Sequence, residues 1–155
     1  MSKFAEYIYN EPDLISKIEI IYFLAPKLGI KFDKSIVFKT EIGRMFLKYT
    51  DAKLDNNLIL TACLLCNCQK VDDSQKIGKL KTYAKEGADY LKKLGFDDRF
   101  CRICEGVNRY SGLKPREPES DILDLVDQFV GMLIDRPERV GFAPDEALVL
   151  LEHRN

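Results

Sequence analysis

The sequence predicts an all-α protein, a compact orthogonal bundle of about seven helices. Three observations predict it. Apolar residues recur at three- and four-residue steps through most of the chain. Asp, Gly and Pro fall where such stretches begin and end. No stretch alternates apolar with polar residues as a half-buried strand does, and neither an internal repeat nor a low-complexity tract breaks the pattern.

The first helix uses Leu14, Ile15, Ile18, Ile21, Tyr22 and Leu28, with Asp13 as its cap and Gly29 as its stop. Pro26 is expected to end or kink it early, because proline has no N–H to donate. A second helix follows Asp33, with Val37, Met45 and Tyr49 among its apolar positions. A third follows Asp55 and runs from Leu58 to about Cys68. It is apolar nearly all round, which marks a central, buried helix. A polar loop spans Val71 to Lys79 around Asp72-Asp73-Ser74. The next helix passes through Ala84, Gly87, Ala88, Leu91 and Leu94 and stops at Gly95. A short helix carries Phe100, Ile103, Cys104 and Val107. Gly112, Pro115 and Pro118 then break the chain between Tyr110 and Ser120. The sixth helix uses Ile122, Leu125, Val126, Phe129, Met132 and Leu133, and the last begins at Pro144, a favoured first helical residue. No Gly/Ser/Pro-rich linker divides the chain, so residues 1–155 read as one domain, with 1–32 as an appended helical cap.

A chain of 155 residues suffices for one buried core, and 46% hydrophobic with 32% charged residues excludes wholesale disorder. The net charge is -1 with both signs interspersed, which argues against nucleic acid or an anionic membrane as a partner. The longest strongly apolar run, from Leu58 to about Leu65, is far short of the roughly 20 residues that span a bilayer. Lys3 and Glu6 interrupt the N-terminus before any apolar core of a secretory signal can form. The expected location is the cytoplasm, where the five cysteines are expected to be thiols.

Seven stretches, in order, resemble the HD-GYP branch of the HD-domain family. Leu64-Leu65-Cys66-Asn67-Cys68-Gln69-Lys70 is similar to that family's Leu-Leu-His-Asp-Ile-Gly-Lys signature. The segment Tyr83 to Leu91, with its Gly87-Ala88 pair, resembles the next one, which opens with His-Pro, and Leu94-Gly95-Phe96 follows it. Gly106-Val107-Asn108-Arg109-Tyr110-Ser111-Gly112 is similar to His-His-Glu-Arg-Tyr-Asp-Gly. Val126-Asp127, Asp135 to Arg139 and Ala143 to Leu148 resemble the family's late Ala-Asp helix, Asp-Arg-Pro-Tyr-Arg turn and final helix start. The resemblance covers residues 35–153 and implies an HD-domain-like fold.

It also implies where metal ligands would stand, and the sequence departs at almost all of those positions. The family holds two or three ions, commonly iron or manganese, with histidines and aspartates, and a metal-bound hydroxide attacks a phosphodiester. Here the opening position falls on Phe38, the His-Asp pair on Cys66-Asn67, the later His on Tyr83 and the His-His pair on Gly106-Val107. Asp127 alone keeps its ligand type. The chain's single histidine, His153, lies outside these positions, at a helix end expected to be exposed. Lys70 stands where the family's lysine can touch substrate phosphate, and reads either as an anion-binding remnant or as a solvated helix-end lysine. Asp127 reads either as a retained site acid or as an inward carboxylate satisfied by a backbone donor. Arg109 and Arg136 read as structural. The Gly-Tyr-Pro motif is reduced to Gly112-Leu113-Lys114-Pro115.

The implied function is a catalytically inactive HD-GYP-like domain, a protein- or nucleotide-binding or scaffolding module in signalling, with Cys66, Asn67, Lys70, Tyr83 and Asp127 lining the former cleft and no metal or other cofactor. Two alternatives stay open. One is residual metal-dependent phosphohydrolase or cyclic-dinucleotide phosphodiesterase activity from Asp127, Asn67 and Cys66. The other is a cysteine-based metal or redox module from Cys63-x-x-Cys66-x-Cys68 and Cys101-x-x-Cys104, although buried Cys more often acts as a small core hydrophobe. Tyr7, Ile8, Tyr9, Ile20 and Tyr22 exceed what one buried face needs, so a homodimer or partner surface is expected in the first thirty or so residues.

Overall fold

The computed structural model describes residues 1–51, 53–70, 77–108, 111–135 and 139–154, and of residues 77–81 only the backbone. The described residues form eight α-helices and no β-strand: α1 Lys3–Asn10, α2 Leu14–Leu28, α3 Lys34–Lys48, α4 Asn56–Leu65, α5 Ile77–Lys93, α6 Asp98–Glu105, α7 Pro118–Leu133 and α8 Pro144–Arg154. The all-α expectation holds, with one more helix than the periodicity gives.

Most boundaries follow from capping chemistry. The side chains of Asp13, Asp33, Asp55 and Asp97 each accept a backbone N–H from the first turn of the helix they precede. Gly29 and Gly95 take left-handed backbone, φ 66 and 100, as helix stops do. Pro26 does not end α2. It lies in the last turn, where its missing N–H forfeits a single bond, and the helix continues to Leu28. Ile77 to Lys79 belong to α5 rather than to the loop before it, and Pro118 is the first residue of α7, so the break there is shorter than expected. Asp72, Asp73 and Ser74 lie outside the described residues.

The extra helix is α1. Ser2 caps it by accepting from Ala5 N, and the same hydroxyl donates to Leu94 O, while Ser2 N donates to Gly95 O at 2.9 Å. These bonds bring the N-terminus onto the end of α5. A Cβ on Gly95 would stand 2.3 Å from Ser2 Oγ, so glycine is required there twice over. Ala5 and Ile8 enter the same core as Ile21, Leu58 and Phe100. Ile8 is therefore a core residue and not part of an exposed surface.

Helix α4 is the axis of the bundle. From Leu58 through Cys68 every residue except Leu60 is buried, and α1, α3, α6 and α7 pack round it. At about 25 cal/mol per Å² of apolar surface, such a helix contributes more per residue than any amphipathic neighbour. Helix α3 lies close against it because Gly43 has no side chain: a Cβ there would meet Cys63 Sγ at 3.0 Å. The phase of α3 differs from expectation. Its buried stripe is Ile36, Lys39, Thr40, Gly43 and Leu47, whereas Met45 and Tyr49 face outward. A smaller cluster, Phe129, Met132, Ala147 and Leu151, joins α8 to α7.

Candidate functional site

The residues marked by the sequence converge where the end of α4 meets α3, α5 and α7. Cys66 and Asn67 come from the turn that closes α4, Tyr83 from the middle of α5 and Asp127 from α7. Both oxygens of Asp127 are engaged. Oδ1 accepts from Lys39 Nζ at 3.1 Å and from Asn67 Nδ2 at 3.2 Å, and Oδ2 accepts from the Tyr83 hydroxyl at 3.2 Å. The Asn108 side chain also reaches the Tyr83 hydroxyl. Asp127 is thus satisfied by side chains, not by a backbone donor.

Lys39 is the residue that the sequence reading missed. The opening position was placed on Phe38, which is 41% exposed, while Lys39 is 3% exposed and enters the cluster. Its ammonium lies 3.1 Å from Cys66 Sγ and 3.1 Å from Asp127 Oδ1. The signal was in the chain. Ile36, Gly43 and Leu47 fix the inward face of α3, and residue 39 lies on it at the i+3 step.

The electrostatics follow from this pairing. Burial acts against the Lys39 charge, but the negative charge of Asp127, with the Cys66 sulfur accepting a hydrogen bond beside it, overcomes burial and holds the ammonium's pKa well above its ordinary value. Burial would raise Asp127. Lys39, then Lys70, then the Asn67 hydrogen bond bring it down instead, to about 2. Burial raises the Cys66 thiol, with Lys39 opposing it only in part. At neutral pH the cluster is therefore an ammonium–carboxylate pair surrounded by a protonated thiol, an amide and a phenol. Lys70 is half-buried, with its Nζ 4.9 Å from the centroid of the Tyr83 ring. It flanks the pair rather than extending freely into solvent.

A di-iron or di-manganese centre does not fit these residues. The donors around the pair are one carboxylate with both oxygens hydrogen-bonded, a thiol kept protonated by burial, and an amide already donating to that carboxylate. Among the described residues, no group of three or more His, Cys, Asp or Glu side chains could hold a metal ion. At the His-His position, Val107 is fully buried in the core and Gly106 packs on Ser120, where a Cβ would meet Ser120 Oγ at 2.7 Å. His153 is exposed near the end of α8. Arg109 and Arg136 lie outside the described residues.

The five cysteines are all buried and all free. Cys68 Sγ donates to Gly87 O and Cys101 Sγ to Phe96 O, both at 3.8 Å. Burial pushes the thiols of Cys63 and Cys68 up to about 12 and that of Cys101 to about 11. These are small core side chains, unreactive as thiols.

A second buried lysine, also missed from sequence, lies on α2. Lys17 Nζ donates to Thr61 Oγ1 at 2.6 Å, Asn57 Oδ1 at 2.7 Å and Tyr9 O at 3.1 Å. Burial lowers its pKa to about 8. It ties the end of α1 to the start of α4.

No family model matches the chain, and neither a curated protein nor a solved structure matches it.

Proposed function

We propose that the chain is a catalytically inactive HD-GYP-like domain, a protein- or nucleotide-binding scaffold in signalling, in which an internal ammonium replaces the metal cations. The observation that carries this reading is the position of Lys39. It pairs with Asp127, the one ligand-type residue kept, and donates to Cys66, which stands at a histidine position of the resembled signature. A metal ion approaching Asp127 would have to displace a buried ammonium that pairs with no other carboxylate among the described residues. A lysine tethered to α3 supplies positive charge but no open coordination position, so it cannot activate water or bridge a phosphate as a metal does.

Two measurements on the purified chain test this. Elemental analysis should find no stoichiometric iron, manganese or zinc, and a generic phosphodiester with added manganese should turn over no faster than the blank. Metal-dependent turnover that disappears in Asp127→Ala would overturn the reading and restore a hydrolase. The binding half is tested by calorimetric titration with a cyclic dinucleotide. Saturable heat that Lys70→Ala weakens would favour the nucleotide over the protein partner; no heat would leave the protein scaffold.

A further inference from the structure

Helix α2 carries more apolar surface than its packing uses. It is apolar on nearly every side, a composition that belongs to a covered helix, yet only Lys17, Ile21 and Ala25 are buried. Ile15, Tyr22 and Phe23 are 67%, 70% and 70% exposed. Half-buried Val37, at the start of α3, lines the same hollow as Tyr22. That hollow, between the two helices, is about 350 Å³ with an apolar floor of Ile18, Tyr22, Phe32 and Val37. A second hollow of the same size continues past Tyr22 and Phe32 to Phe23 and Pro26. Contiguous exposed aromatic and aliphatic surface of this kind marks an interaction site.

The charges on the walls select the occupant. Glu19 stands on the α2 wall and Asp33 and Lys34 on the α3 wall. Asp33 is already used: it caps α3 and pairs with Lys31 at 3.8 Å. Glu19 and Lys34 are exposed and have no ion-pair partner among the described residues. The hollow is thus lined by one acid and one base that have no ion-pair partner among the described residues, and Lys27 lies over the Phe23 ring at 5.1 Å. An anionic membrane or an acidic peptide would meet Glu19 with like charge, and a basic peptide would meet Lys34 so. A two-fold contact between identical surfaces uses both, since residue i meets j and j meets i.

We infer that a second copy of this chain docks in the α2–α3 groove about a two-fold axis, with Glu19 of each copy against Lys34 of the other and Tyr22 and Phe23 as the apolar anchors. The inference is independent of the Lys39 cluster and of any catalytic reading.

Sedimentation of the full chain over a concentration series tests it. The mass should pass from monomer to dimer as concentration rises. Glu19→Lys alone, or Lys34→Glu alone, replaces two opposite-charge contacts with two like-charge contacts and should weaken the dimer about tenfold or more. The two reversals together restore opposite charges and should recover the affinity to within about threefold. Tyr22→Ser should also dissociate it. All three side chains are exposed, and an unchanged helical circular dichroism spectrum verifies that each variant folds. A monomer at every concentration up to millimolar, a dimer indifferent to the single reversals, or a double reversal that fails to recover would each overturn the proposal.

Discussion

Replacing Lys39 by methionine keeps most of the side-chain volume and deletes only the ammonium, so the variant isolates the charge. In the wild type that ammonium is 3% exposed and lies 3.1 Å from Asp127 Oδ1. Asp127 keeps only 17% of its side-chain surface exposed, and removing one partner of such a pair typically costs about 3–5 kcal/mol, because the other charge is left largely out of water. For a chain of 155 residues this corresponds to a fall of about 6–20 °C in Tm. Urea denaturation should show a lower midpoint at unchanged slope. The pH dependence distinguishes charge from packing. The wild-type Asp127 carboxyl lies at about 2, below its ordinary 3.8, so its contribution is fully present above pH 3.8 and is lost as pH falls towards 2. Without Lys39 the largest charge opposing burial is gone, and the carboxyl rises from that value with only Lys70 and the Asn67 hydrogen bond left to hold it down. The variant's deficit against the wild type should therefore shrink as pH falls from 3.8 towards 2, where the wild type loses the contribution of the pair. Lys39→Met with Asp127→Leu should cost less than the two single changes added, since no lone charge remains. A Lys39→Met loss below about 1 kcal/mol, or a loss independent of pH, would refute the pairing.

Other expectations follow from the same geometry. Lys17→Met strips the shared donor from Thr61, Asn57 and Tyr9 O and should cost about 1–3 kcal/mol at neutral pH. Because folded Lys17 lies near 8 and its ordinary value is 10.5, the unfolded chain holds the proton longer. Thermal melts should therefore show the wild type gaining on the variant between pH 8 and 10.5. The buried thiols act in the opposite sense. Their folded values, about 12 for Cys63 and Cys68, exceed the ordinary 9.0, so their contribution is whole below pH 9 and is lost as pH rises towards 12. Denaturation midpoints should fall steadily above pH 9, and less steeply in Cys68→Ala. Gly87→Ala would put a Cβ 2.9 Å from Cys66 O, forcing α5 away from the end of α4. A loss of about 1–3 kcal/mol by urea melt is expected, and none would mean that α5 is free to shift.

The helices were legible where local chemistry decides them. Asp13, Asp33 and Asp55 announce helix starts in any context, because a short carboxylate can reach the first-turn N–H groups. Gly29 announces a stop because left-handed backbone suits glycine. Helix α1 was not legible because eight residues do not sustain a helix alone; its partners are Leu94 and Gly95, more than ninety residues away. Within the site, the resemblance marked Cys66, Asn67, Tyr83 and Asp127, and their side chains do meet. On α3 it pointed to Phe38, whereas the side chain that joins the other four is that of Lys39, the next residue. On a helix a one-residue slip turns the side chain by about 100°, which is the difference between exposed Phe38 and buried Lys39. Both inward lysines escaped notice for one reason: lysine is read as solvated unless a partner is known, and the partners here come from other helices.

The two buried lysines also explain each other. Both hold α4, but at opposite ends. Lys17 binds Asn57 and Thr61 in its first turns, and Lys39 binds Cys66 at its close. A helix presents partial positive charge at its N-terminus and partial negative charge at its C-terminus. Lys39 therefore sits where the α4 dipole favours a cation and has a carboxylate beside it as well. Lys17 sits where that dipole opposes a cation, and its direct partners are neutral oxygens; the compensating Tyr9 carbonyl comes from the end of α1. Burial and direct partners set the same order: Asp127 beside Lys39 holds it above its ordinary value, and burial among neutral oxygens lowers Lys17 to about 8. Lys39 thus remains charged wherever the fold survives and acts as a permanent cation. A bound metal leaves when its ligands protonate or a chelator competes, whereas this cation is covalently part of α3. Chelator should therefore leave the stability of the chain unchanged, while Lys39→Met should lower it.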